Sequence, residues 1–147
     1  MKVRTLLVLA MLLIPLLHAA CSRPPVGALL LWDCNSFDNQ PHISQQQSVA
    51  PGETVTVMLC SHGTDFKWSE SAQISDQNVV KQVKDDFSSL EKSGLMNLMK
   101  GYPKPGDLVW TFETLKEGTS TITLDYSQPG EGGEKGKWTY DLTVIVE

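Results

Sequence analysis

The last third of the chain constrains the fold most. Leu108, Trp110 and Phe112 alternate with Val109, Thr111 and Glu113. Ile122, Leu124 and Tyr126 alternate with Thr121, Thr123 and Asp125, and Trp138, Tyr140, Leu142, Val144 and Val146 with Thr139, Asp141, Thr143 and Ile145. Successive strand residues point to opposite faces, so this period puts apolar side chains on one face and a threonine-rich set on the other. Gly118 and the Gly-rich loop from Gln128 to Gly136 separate the three runs. Tight connections between such strands imply antiparallel sheets with one wet face. After the Pro51-Gly52 turn signal, Val55, Val57 and Leu59 alternate with Thr54 and Thr56 in the same way. Shorter strands are expected over 28–32, from Phe66-Lys67-Trp68 onward, and from Val79 to Val83. About seven short strands in roughly 110 residues predict an all-β antiparallel sandwich.

Residues 33–41 read as a polar turn. Asp86 to Met99 is ambiguous: Leu90, Leu95, Leu98 and Met99 suit a helical turn or two, and Gly94 weakens it. Trp110 and Trp138 are in phase with the apolar faces of their strands and belong in the core. Trp68 belongs there too, while Trp32 fits either core or surface.

The N-terminus follows a different logic. Lys2 and Arg4 precede an apolar run from Leu6 to Leu17, broken only by Pro15, and His18-Ala19-Ala20-Cys21 follows. Residues 1–20 therefore read as a secretory signal peptide. The run is too short for a membrane-spanning helix, which takes about 20 residues. Leu17-His18-Ala19-Ala20-Cys21 is similar to a bacterial lipobox, with His18 where Leu is usual. That similarity implies a lipid on Cys21 as the new N-terminus; ordinary signal cleavage nearby is the alternative. The expected product is exported, and is either a membrane lipoprotein or free in the periplasm or outside. Residues 21–41 would then be a lipid-anchored tether and N-terminal extension, and 42–147 the sandwich domain.

Losing the two cations Lys2 and Arg4 lowers the formal net charge from −5 by two units, to −7. Phosphate binding needs clustered Lys and Arg, so an acidic domain argues against nucleic acid. If Cys21 carries lipid, Cys34 and Cys60 remain of the three cysteines. Export favours a disulfide between them; two unpaired thiols are the alternative.

Catalytic and metal chemistry find little support. Outside the signal only His42 and His62 remain. Cys60-Ser61-His62 is not read as a Cys–His dyad. Two histidines without Cys or carboxylate spacing make no zinc site. Asp85-Asp86 and the run from Glu131 to Glu134 read as solvated charge. Gly130, Gly132, Gly133 and Gly136 lie between two strands, not before a helix, and cradle no phosphate. No enzyme activity, metal or cofactor is expected.

Residues 42–147 resemble the chagasin family, small immunoglobulin-like inhibitors of papain-like cysteine proteases. The residues that carry the resemblance are Pro51-Gly52-Glu53-Thr54-Val55-Thr56-Val57, Phe66-Lys67-Trp68, Gly106-Asp107-Leu108-Val109-Trp110-Thr111-Phe112, Gly118-Thr119-Ser120-Thr121-Ile122-Thr123-Leu124-Asp125-Tyr126 and Gly132-Gly133-Glu134-Lys135-Gly136-Lys137-Trp138-Thr139-Tyr140. The resemblance implies an immunoglobulin-like sandwich, probing a protease cleft with three loops from one end. The first would be Ser61, His62, Gly63, Thr64 and Asp65, where the family usually reads Asn-Pro-Thr-Thr-Gly and only Thr64 keeps its residue. The second would end at Pro105 and Gly106, where Gly-Gly is usual. The third would carry Gln128, Pro129 and Gly130, where Arg-Pro-Trp is usual. The implied partner is a papain-like cysteine protease, bound by a monomer. The alternative is an immunoglobulin-like binding or structural lipoprotein that keeps the scaffold without inhibiting.

Overall fold

The computed structural model describes residues 27–62, 65–83 and 107–147. Within them the chain runs β1 (Ala28–Trp32), α1 (Cys34–Asn39), β2 (His42–Val49), β3 (Thr54–Leu59), β4 (Lys67–Trp68), β5 (Gln73–Ile74), β6 (Val80–Val83), β7 (Leu108–Thr114), β8 (Gly118–Ser127) and β9 (Trp138–Val146). One sheet has the order β1-β3-β7-β6. The other has the order β2-β9-β8-β4, with β5 also paired to β8.

The two sheets close on the residues that the alternation selects. Val55, Val57 and Leu59 of β3 and Trp110 and Phe112 of β7 face Ile122, Leu124 and Tyr126 of β8 and Trp138, Tyr140, Leu142, Val144 and Val146 of β9. Each is at most 3 % exposed. Full burial of one aliphatic or Phe side chain contributes about 1.5–3 kcal/mol, so these faces supply most of the driving force. Trp68 is also buried. Trp32 is half-buried, its indole donating to Gln45 Oε1 at 3.1 Å.

The structure departs from the sequence expectations in the N-terminal half. There are nine strands among the described residues, not about seven, and the sheets are mixed, not purely antiparallel. β1 pairs with β3 in parallel and β2 pairs with β9 in parallel. Parallel neighbours cannot be joined by a tight turn. Here β1 reaches its partner only after the chain has crossed to the other sheet and returned. Residues 33–41 are not simply a turn. Asp33 caps a short helix by accepting the Ser36 amide at 2.9 Å, and α1 buries Phe37 completely. Thr56 is not on a wet face either. β3 is an inner strand, and Thr56 and Met58 are buried on its outer side between Leu29 and Leu31 of β1 and Val109 and Thr111 of β7. The ambiguous stretch 86–99 lies outside the described residues, as does the signal segment with Cys21.

Strand direction gives the sandwich two distinct ends. β1 enters at Ala28 opposite Val55, and β2 leaves at Val49 opposite Val146; these mark the far end. At the other end, Trp32 lies opposite Leu59, Leu59 opposite Leu108, and Tyr126 opposite Trp138.

Candidate functional site

All three loops named from the sequence leave from the end marked by Leu59 and Trp138. The first leaves β3 after Leu59 and enters β4 at Lys67, which pairs with Ser127. The second leaves β6 at Val83, opposite Thr111, and returns into β7 at Leu108, opposite Leu59. The third joins Ser127 to Trp138. Of the candidate residues, Ser61, His62, Asp65, Gln128, Pro129 and Gly130 are described; Gly63, Thr64, Pro105 and Gly106 lie outside the described residues.

The base of this end is aromatic. Tyr126 and Trp138 stack with centroids 4.6 Å apart at 14°, and Phe37 of α1 stacks on Trp138 at 5.2 Å and 21°. Trp68 packs against Phe37, Trp110, Tyr126 and Trp138, with centroids 5.1–6.4 Å apart. Such ring pairs add about 0.5–1.5 kcal/mol each beyond their buried area and hold fixed geometry, which makes the base stiff.

The first loop is fastened to that base. The Trp68 indole donates to Cys60 O at 2.8 Å, tying β4 in one sheet to the end of β3 in the other. The His62 amide donates to the Tyr126 hydroxyl at 3.1 Å, and Ser61 Oγ lies 3.3 Å from the same oxygen. The exposed His62 ring rests 5.1 Å from Trp138. Phe66 stacks on Tyr126 at 5.6 Å, and Lys137 Nζ sits 4.4 Å over the Phe66 ring, linking the first loop to the third.

The third loop is cross-braced internally. The Gln128 amide donates to Glu134 O at 2.8 Å, and the Glu134 amide donates to Gln128 Oε1 at 3.0 Å. Lys135 Nζ donates to the carbonyls of Gln128 and Gly130 at 2.8 and 2.9 Å. The Gly136 amide donates to Ser127 Oγ at 2.8 Å. These bonds leave Pro129 and Gly130 exposed at the tip. Gly130 has φ +95°, a conformation that strains any residue with a Cβ.

Some contributors to this end were not expected from the sequence, whereas the Cys34–Cys60 pair was. Phe37 and Asp38 come from outside the resemblance. Leu108, assigned to the apolar face by its phase, is 39 % exposed beside the returning second loop. Cys34 and Cys60 are disulfide-bonded with Cα atoms 5.4 Å apart, which fastens α1 to the root of the first loop. The nearest signals for α1 were Asp33 as a cap and Phe37 four residues beyond it. Below this end, burial pushes the Tyr140 phenol up to about 12, against a smaller lowering pull from the Trp32 indole.

Among the described residues no group of three or more His, Cys, Asp or Glu is placed to hold a metal ion, and no helix is long and apolar enough to cross a membrane. The arrangement presents loops on a stiff base and can act by filling a concave surface.

No curated protein sequence matches the chain significantly. Two solved structures are similar in fold. A cysteine protease inhibitor from Entamoeba histolytica, EhICP2, aligns with a TM-score of 0.52 at 17 % identity, over 84 % of this chain and 99 % of the other. PbICP-C, solved in complex with falcipain-2, aligns with a TM-score of 0.50 at 15 % identity, over 80 % and 99 %. The sequence profile of the Chagasin family peptidase inhibitor I42 matches residues 48–144, from the end of β2 almost to the end of β9. With two-thirds of its length matched by that profile and its sandwich shared with those inhibitors, the chain belongs to the chagasin family of peptidase inhibitors, not to a family of enzymes.

Proposed function

We propose that this protein inhibits a papain-like cysteine protease by inserting the loop end of its sandwich into the protease cleft. The observation that carries this reading is the convergence of three loop stems over the Tyr126–Trp138 base. Family membership and the falcipain-2 complex of PbICP-C support the choice of target class. Inhibition is steric. Thr64, Gly106 and Pro129 supply backbone and hydroxyl contacts, and the stiff base lowers the ordering cost of binding. No bond is made or broken. The test is a panel of papain-like proteases titrated with the purified protein. Competitive inhibition at sub-micromolar concentration is expected for at least one, and none for a serine protease control.

A second reading, a binding lipoprotein on a chagasin scaffold without inhibitory activity, is favoured by the third loop. There Gly130 stands where the family usually places Trp, and its positive φ disfavours any side chain. A folded protein that inhibits nothing on the panel at micromolar concentration would select it.

Export and anchoring through Cys21 form the other part of the proposal. The chain enters the sandwich at Gly27 and Ala28, at the end opposite the loop stems, which suits an anchor on Cys21. Cys21→Ser is expected to move the protein from the membrane fraction to the soluble fraction. Intact-mass analysis finding an unmodified thiol at residue 21 would reject the anchor.

A further inference from the structure

We propose that α1 is a working part of the binding end, with Cys34, Phe37 and Asp38 acting as positioning residues for the first loop. The family match begins at residue 48, so α1 lies outside it. Yet three independent contacts converge from this short helix on the root of that loop. Cys34 is bonded to Cys60, the last residue before Ser61. Phe37 is fully buried and stacks on Trp138, the same ring on which His62 rests from the loop side. Asp38 Oδ2 lies 3.5 Å from His62 Nε2. The backbone adds a fourth tie: the Cys60 amide donates to Trp32 O at 3.1 Å, just before α1 begins.

These contacts do more than complete the core. Trp138 is stacked by both Phe37 and Tyr126 and is also touched by His62, so the helix bears directly on the platform that supports the loop. The disulfide fixes where the loop starts, and the carboxylate faces the His62 ring. A loop held in this way pays less ordering entropy when it meets a partner. In a chain whose loop motifs depart from the family pattern, preorganisation is a separate source of affinity.

The functional half of this inference rests on the inhibitor reading above; the positioning half does not. The test therefore uses two readouts on the full mature protein: amide exchange at Ser61 and His62 by NMR, and Ki against whichever protease the panel identifies. The variants are Cys34→Ser/Cys60→Ser and, should that pair fold poorly, Phe37→Leu, which keeps an apolar side chain but removes the ring stack. Val49→Ala, at the far end, serves as the control for general loss of stability. Exchange at His62 is expected to quicken about tenfold in either α1 variant. Ki is expected to rise by a similar factor, since freeing one or two ordered side chains converts to about that change in affinity. The control should leave both nearly unmoved. Unchanged exchange at Ser61 and His62 overturns the proposal. Faster exchange with unchanged Ki, in a protein that does inhibit, overturns the role in binding. Faster exchange in a protein that inhibits nothing upholds the positioning of the loop and rejects the inhibitor reading alone.

Discussion

The two ends of the sandwich are built differently. At the far end the chain turns tightly and satisfies its own backbone. The Gly52 amide donates to Thr114 O, the Thr114 amide donates to Glu53 O, and Thr114 Oγ1 donates to the carbonyls of Ala50 and Glu53 at 2.8 and 2.9 Å. Gly118 packs so closely on Val79 that a Cβ would meet Val79 Cγ2 at 2.8 Å. At the loop end, stability comes from large rings and a disulfide beneath connections much longer than a turn requires. A hydrogen-bonded turn stabilises only itself. An aromatic base stabilises a surface whose tips can change without loss of the fold, which is how the third loop can carry Gly130 and the scaffold persist.

The largest expected effect tests that contrast at its centre. Trp138→Ala removes the ring shared by Phe37, Tyr126 and His62 and should cost about 3–5 kcal/mol in denaturant unfolding. A loss under about 1 kcal/mol would mean that the base is not what holds this end. Thr114→Val is the matching experiment at the far end. It deletes the donor to two carbonyls but keeps the shape, and should cost about 1–2 kcal/mol while leaving any inhibition intact. Gly130→Trp restores the usual family residue at the tip. No atom lies within 4 Å of a Cβ there, so the expected cost of about 1–2 kcal/mol is backbone strain alone, read as a lower Tm. Inhibition that tightens with no fall in Tm would show that the loop relaxes freely.

The smallest expected effect is a pH limb. The Tyr140 phenol is held near 12 against an ordinary 10.0. Between those values the unfolded chain has lost this proton and the native chain retains it, so stability falls as pH rises there. The contribution is whole below about pH 10 and gone above about 12. Tyr140→Phe should flatten this limb of the stability profile, and an unchanged slope would place the alkaline loss elsewhere.

How much of this was legible in the sequence depended on whether packing left a periodic mark. β8 and β9 face the core on one side and solvent on the other, so the alternation of Ile122, Leu124 and Tyr126 and of Trp138 through Val146 reported their burial correctly. β2 left almost no mark. Gln45-Gln46-Gln47 sits in its middle and only Ile43 and Val49 are buried, because it is an edge strand held mainly by parallel pairing with β9. α1 was hidden for a similar reason: one buried residue in six gives no helical period. The loop end was legible only through resemblance. The approach of His62 to Trp138, and of Asp38 to His62, depends on strands far apart in sequence meeting at one end.

The central claim is that the loop end binds a protease cleft, and a direct measurement is the dissociation constant for an active-site-blocked papain-like protease set against that for the free enzyme. Occupying the cleft covalently should abolish binding of a protein that inhibits the free enzyme, with affinity lowered by at least about a hundredfold, or about 2.7 kcal/mol. Equal affinity for blocked and free enzyme would contradict the account, since the loops would then be docking somewhere other than the cleft.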